Sequence, residues 1–306
     1  MGSLAFDIAT PVTHTMGRFL RPYITQHVHP DFQNQAITRI VVTGSPQRLC
    51  GRDPSIVHLS FPDPDHTVRL IRESNLRTIG QVDLAIVGNI NNLTGLAGLT
   101  DHWEGFDGSE YSIFRWQKLI SPKGQTVALI GCLEQLWGDT GGHFLRALYT
   151  HLNVKCVIYI AKCGSLSKEY TSNEWIATGT QAFFEGDVIQ WSSPLDSVLD
   201  VSKKVARGPI VTVPTPLCET QDWLSEWSPK ATWVDCEVGF MAKAAVELGV
   251  EFGFLLVVSD NLCKIGGENL SNEESDTVSR KRKVLYDEML KILNALIFRS
   301  DLRQPI

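Results

Sequence analysis

The sequence predicts an α/β protein, a three-layer αβα sandwich around a central mixed, mostly parallel sheet. Three observations carry that prediction. Short apolar runs recur without polar alternation, as expected of strands covered on both faces. Helical stretches separate several of these runs, so the order is strand, helix, strand. The chain of 306 residues is 43% hydrophobic and 20% charged, enough for a large core and without the charge-rich, apolar-poor segments of disorder.

Taken in order, the first predicted strand lies at residues 40–42 of "ITRIVVTGSPQR" and the second at 82–88, "VDLAIVG". The polar, Gly- and Asn-rich "NINNLTGLAGLTDHWEGFDGSEY" then reads as irregular or as an insertion. Strands are predicted in "SIFRWQKL" and in "TVALIG" at 126–131, a helix in "GGHFLRALYTHL" at 141–152, and a strand in "VKCVIYI" at 154–160. "PIVTV" at 209–213 and "FGFLLVVSD" at 252–260 complete the strands, with helices at 237–249 and 282–298. Residues 1–306 are read as a single domain with a divergent insertion around 53–111.

Composition narrows the function classes. A net charge of -6 without a clustered basic face weighs against nucleic acid as a partner. "SRKRK" near residue 280 reads as a solvated helix start. Seven cysteines, an odd number with no CxxC pair, support neither a disulfide framework nor a zinc site, and fit a reduced, cytoplasmic setting. No signal segment, lipid anchor or run of membrane-spanning length is read. The histidines are scattered, so no metal is implied.

Sites in such sheets lie outside the carboxyl ends of strands. In "TGSPQR", Gly44 permits positive φ, Pro46 sets a turn, and backbone N–H groups with Arg48 suit an anion such as phosphate; an ordinary turn with a surface arginine is the alternative. In "IAKCGSL", Lys162 supplies a cation to a pocket or stands in solvent. In "VDCEVGFMAKAA", Asp235 is read as a helix cap or dipole partner, whereas Glu237, followed by small residues, suits a sugar diol gripped through both carboxylate oxygens. Asp260 follows an apolar strand, where burial keeps a proton available for a leaving group; capping the next turn is the alternative.

Together these segments resemble the nucleoside phosphorylase-I family of purine nucleoside phosphorylases, uridine phosphorylases and methylthioadenosine nucleosidases. "GSPQR" is similar to that family's phosphate loop, "VIYIAKCGSL" to its strand and Gly-(Ser/Thr)-Cys-Gly turn, "VDCEVGFMAKAA" to its ribose segment, and "VVSDNL" to its Ser-Asp turn. The resemblance implies that Gly44 and Arg48 bind phosphate, that Glu237 binds ribose hydroxyls, and that Asp260 is the acid at the leaving base, assisted by Arg282. It also implies a homo-oligomer with pockets shared between neighbours, a nucleoside-like small molecule as substrate, and no cofactor beyond inorganic phosphate as co-substrate.

The chain departs from the pattern at the anion site. Tyr159 stands where the phosphorylases place an arginine, Ala161 replaces a glycine, and Lys162 replaces the Ser or Thr that touches phosphate. Lys162 can replace the lost charge, and Arg115 can add a cation from a neighbouring subunit. Cys236 stands where a methionine packs against ribose. The expected reaction is phosphorolysis of an N-glycosidic bond to free base and sugar 1-phosphate. A nucleoside hydrolase, or a specialised-metabolism enzyme or binding protein for another ligand, are the alternatives.

Overall fold

The computed structural model describes residues 66–93, 95–96, 102–105, 112–132, 138–213, 219–264 and 275–298. In chain order these form α1 (His66–Glu73), β1 (Leu84–Gly88), β2 (Phe114–Ile120), β3 (Thr126–Cys132), α2 (Asp139–Leu152), β4 (Cys156–Ser165), β5 (Ile176–Thr178), β6 (Gln181–Phe184) and β7 (Asp187–Gln190). There follow β8 (Val205–Arg207), β9 (Ile210–Thr212), α3 (Gln221–Trp227), β10 (Trp233–Asp235), α4 (Val238–Leu248), β11 (Glu251–Asn261) and α5 (Asp276–Phe298).

The strands join in one sheet of order β2-β3-β1-β4-β10-β9-β6-β7, with β11 on β4 and β5, and β8 on β5. The pairings of β1 with β3 and β4, of β4 with β11, of β9 with β6 and β10, and of β5 with β8 are parallel, so the sheet is mixed and mostly parallel. The predicted α/β class is the observed one. The apolar runs lack alternation because both faces are covered. On β4, Val157, Tyr159, Ala161 and Cys163 face the cluster containing Phe144, Leu148, Met241 and Ala245 from α2 and α4. Ile158 and Ile160 face the cluster built on Leu285, Met289 and Leu293 of α5. Each Val, Ile, Leu, Phe or Met among them contributes roughly 1.5–3 kcal/mol by leaving water. Phe114 of β2 stacks on Phe144 of α2 at 5.1 Å and 7°, tying the sheet edge to the helical layer.

The site is positioned by a gap in the pairing of β4. Along its first half β4 lies between β1 and β11, the β1 pairing ending at Gly88 opposite Ile160. On that side β10 joins only at Gly164 and Ser165, and antiparallel. Among the described residues, 161–163 thus have a strand neighbour on the β11 side alone, and the chain leaving β1 turns away beside them. Gly88 has φ +101°, and a Cβ there would sit 2.1 Å from the Ile160 carbonyl oxygen, so the turn requires glycine. Asn89 N–H donates to that same oxygen at 2.7 Å. Among the described residues no helix is long and apolar enough to cross a membrane.

Candidate active site

The turn between β10 and α4 carries two buried acids with different surroundings. Asp235 is fully occupied: Thr212 Oγ1 donates to its Oδ1 at 2.6 Å, and the amides of Glu237 and Val238 donate to Oδ2 at 3.1 and 2.7 Å. It therefore caps the start of α4, the structural reading of that residue. Thr212 Oγ1 also accepts from the Gly239 amide at 2.8 Å, which draws the helix start onto β9. Gly239 must be glycine for this approach, since a Cβ would lie 2.7 Å from the Phe184 ring and 2.8 Å from Thr212 Cβ.

Glu237 is 3% exposed and its carboxylate is only half engaged. Tyr159 Oη donates to Oε2 at 3.5 Å, while among the described residues Oε1 has no hydrogen-bond partner. Burial first, and the nearby charge of Asp235 second, push the Glu237 carboxyl well above the ordinary carboxylate range. The amides of Gly138 and Cys236 oppose that shift without closing a bond on Oε1. Tyr159 is itself raised, by burial and then by Glu237, so its hydroxyl keeps its proton.

Asp260 lies at the end of β11, 8% exposed, opposite Gly164 of β4 after a register shift that follows Val258. Ser259 Oγ is 2.9 Å from Asp260 Oδ1 and 3.1 Å from the Cys163 carbonyl oxygen, so a single hydroxyl links the acid to β4. Arg282 enters from α5. Its Nε donates to Asn173 Oδ1 at 2.7 Å, and the amide of Asn173 donates to the Val258 carbonyl oxygen at 2.6 Å. Two bonds thus tie the arginine to the end of the strand that presents Asp260.

In front of the gap in β4 is a cavity of about 500 Å³, lined by Asn89, Asn91, Asn92, Lys162, Ser279, Arg282, Lys283 and Tyr286. That size suits a small-molecule site. Arg115 of β2 stands behind one wall, hydrogen-bonded through Nη2 to Asn91 of its own chain and stacked 4.8 Å from the centre of the Trp103 ring.

The fold therefore brings Lys162 and Arg282 to one cavity, with Arg115 at its margin, and brings Tyr159 and Glu237 together on the opposite face of β4. Cys236 is buried in a separate small cluster with Leu166, Val211, Val213 and Val234. Gly44 and Arg48 lie outside the described residues. Among the described residues, the loop that borders Lys162 is the one after β1. Asn89, Asn91 and Asn92 were missed in the sequence, where they open the stretch read as irregular. Their position directly after a fully apolar strand was the available signal. Tyr286, on the inward stripe of α5, carried no such mark. Among the described residues no group of three His, Cys, Asp or Glu side chains could hold a metal ion.

With its mixed sheet between two helical layers, the chain has a nucleoside phosphorylase-like fold. Solved structures share it. The 5′-methylthioadenosine/S-adenosyl homocysteine nucleosidase of Campylobacter jejuni superposes with a TM-score of 0.54 at 15% identity, over 70% of this chain and 99% of that one. A futalosine hydrolase mutant of Helicobacter pylori gives 0.51 at 14%, over 71% and 98%. The Helicobacter pylori nucleosidase with butyl-thio-DADMe-Immucillin-A gives 0.53 at 14%, over 71% and 98%. At these identities the likeness is one of fold. No family model and no curated protein matches the chain.

Proposed function

We infer that the chain cleaves the N-glycosidic bond of a nucleoside-like small molecule and releases a free base. The observation that carries this reading is the pair of buried strand-end carboxylates, Glu237 and Asp260, beside the gap in β4, in a fold shared with proteins named as nucleosidases and a futalosine hydrolase. In it Asp260 is the acid, with Arg282 positioning the end of its strand. Glu237 takes a sugar hydroxyl on the oxygen that has no partner, and Cys236 packs behind it. The C–N bond breaks through an oxocarbenium-like state, and the base leaves with the proton of Asp260.

Hydrolysis is the better supported form. Tyr159, a neutral phenol, is buried against Glu237 at the position that the resemblance gives to a phosphate-binding arginine. Water then supplies the oxygen that joins the sugar carbon, and its proton returns to the carboxylate of Asp260. Phosphorolysis is the second reading, favoured by the cations of the cavity; in it Lys162, Arg115, Gly44 and Arg48 hold inorganic phosphate. Neither form calls for another cofactor. Base release from a panel of purine and pyrimidine nucleosides and nucleotides, with and without phosphate, separates them: release that ignores phosphate supports hydrolysis, and release that requires it supports phosphorolysis. Asp260→Asn is expected to cut turnover by roughly 10²–10⁴-fold with the fold intact. Unchanged turnover would remove Asp260 from the mechanism. The homo-oligomer implied by the resemblance belongs to the same proposal.

A further inference from the structure

Asn173 lies in the loop between β4 and β5, 1% exposed, with its backbone at φ 59°. Asparagine tolerates that left-handed region better than most residues, because its short side chain can bond to nearby backbone. Here the carboxamide reaches further: Oδ1 accepts from Arg282 Nε at 2.7 Å, across 109 positions of sequence. The backbone amide of the same residue donates to the Val258 carbonyl oxygen at 2.6 Å, and the Val258 amide donates to the Trp175 carbonyl oxygen at 3.0 Å. Both backbone groups of Val258 are thus held by one short loop. Lys281 of α5 meets Glu174 at 3.6 Å, so the helix grips that loop at two successive residues.

Val258 is the last residue before β11 falls out of step with β4. It pairs with Cys163, and Asp260 pairs with Gly164, so Ser259 is one residue too many. A bulge of this kind re-aims the side chain beyond it and persists where its surroundings fix it. The Ser259 hydroxyl supplies one fixed point, between Asp260 Oδ1 and the Cys163 carbonyl oxygen. The loop of Asn173 supplies the other.

We propose that Asn173 is a positioning residue for Asp260: by joining the bulged end of β11 to Arg282 of α5, it sets the direction in which the acid meets the leaving base. The proposal rests on the reading of Asp260 as the acid and adds a residue that acts through it. Misplacing a reacting group by about 1 Å costs on the order of 10²-fold in rate. The backbone and the carboxamide of Asn173 can be tested apart, because glycine keeps the left-handed backbone and loses Oδ1, whereas aspartate keeps that oxygen.

Steady-state base release and hydrogen exchange on the full chain test this. Asn173→Gly is expected to lower kcat by roughly 10–10²-fold with KM within about twofold of the wild type, and Asn173→Asp to keep kcat within about threefold. In the Asp260→Asn background the Asn173→Gly change should cost less than about twofold, since a residue that acts through the acid then has nothing left to position. Exchange gives a readout without turnover: peptides covering Leu256 to Asn261 should exchange about tenfold faster in Asn173→Gly, while those of β1 keep the wild-type rate. A full-rate Asn173→Gly, an Asn173→Asp as slow as Asn173→Gly, or an undiminished loss in the Asp260→Asn background would overturn the proposal and leave the cleavage reading standing. A wild type that releases no base, or Asp260→Asn at full rate, defeats the cleavage reading instead. Exchange at the end of β11 in Asn173→Gly then upholds the clamp if it is faster and overturns it if it is unchanged.

Discussion

A carboxyl group that is 3% exposed beside a second acid holds its proton to a higher pH than it does in the unfolded chain, where the ordinary value is 4.5. Because the folded-state value of Glu237 is the higher one, its contribution to stability is present below about pH 4.5 and is lost as the pH rises through the raised value. Glu237→Gln removes that titration, so thermal melts across the pH range should show the variant gaining on the wild type as the pH increases. Parallel curves would mean that Glu237 is not buried as a neutral acid. Tyr159→Phe takes away the phenol that donates to Glu237 Oε2 and should cost about 1 kcal/mol in urea unfolding, the low end for a bond of 3.5 Å. Thr212→Val removes both the donor to Asp235 and the acceptor for the Gly239 amide, and about 1–3 kcal/mol is expected in the same measurement. The sequence marked Asp260 as an acid at a strand end, Glu237 as an acid at a helix start and Asp235 as a cap. It could not show that Tyr159 meets Glu237, because the two lie 78 positions apart.

At the scale of elements, the long buried strands were legible and most of the short ones were not. β1, β3, β4 and β11 are five to eleven residues long and almost wholly buried, so their composition records burial on both faces. β5, β6, β7 and β8 have three or four residues each, too few for a pattern to stand out from its surroundings. α3 escaped for a similar reason, with seven residues, none of them buried, and a Thr220 cap visible only once the helix is known. Gly88 was read only as the last residue of the second strand, and its demand was not legible. Gly88→Ala puts a Cβ on the Ile160 carbonyl oxygen at positive φ, and about 1–3 kcal/mol of stability should go with it as β1 shifts off β4.

For the whole molecule, two helical layers on one sheet leave edges, among the described residues, at β7, at β8 and at β2, where a single bridge from Glu104 to Trp116 is added. Val188 of β7 and Ile120 of β2 are 55% and 65% exposed in the single chain. Light scattering of the purified protein should report a homo-oligomer if neighbours share pockets as the resemblance implies; a monomer that still turns over would show the site to be complete within one chain. The sequence by itself determined the class of fold and the acids at its strand ends, because an apolar run without alternation reports covered faces and a polar residue closing it reports where that cover stops. Only the tertiary structure decided which strand ends meet. The gap beside residues 161–163, and the meeting of Asn89, Asn91 and Asn92 with Arg282 and Tyr286, arise from pairings between distant segments. Local patterning reports how deeply a segment is buried and carries no record of its neighbour.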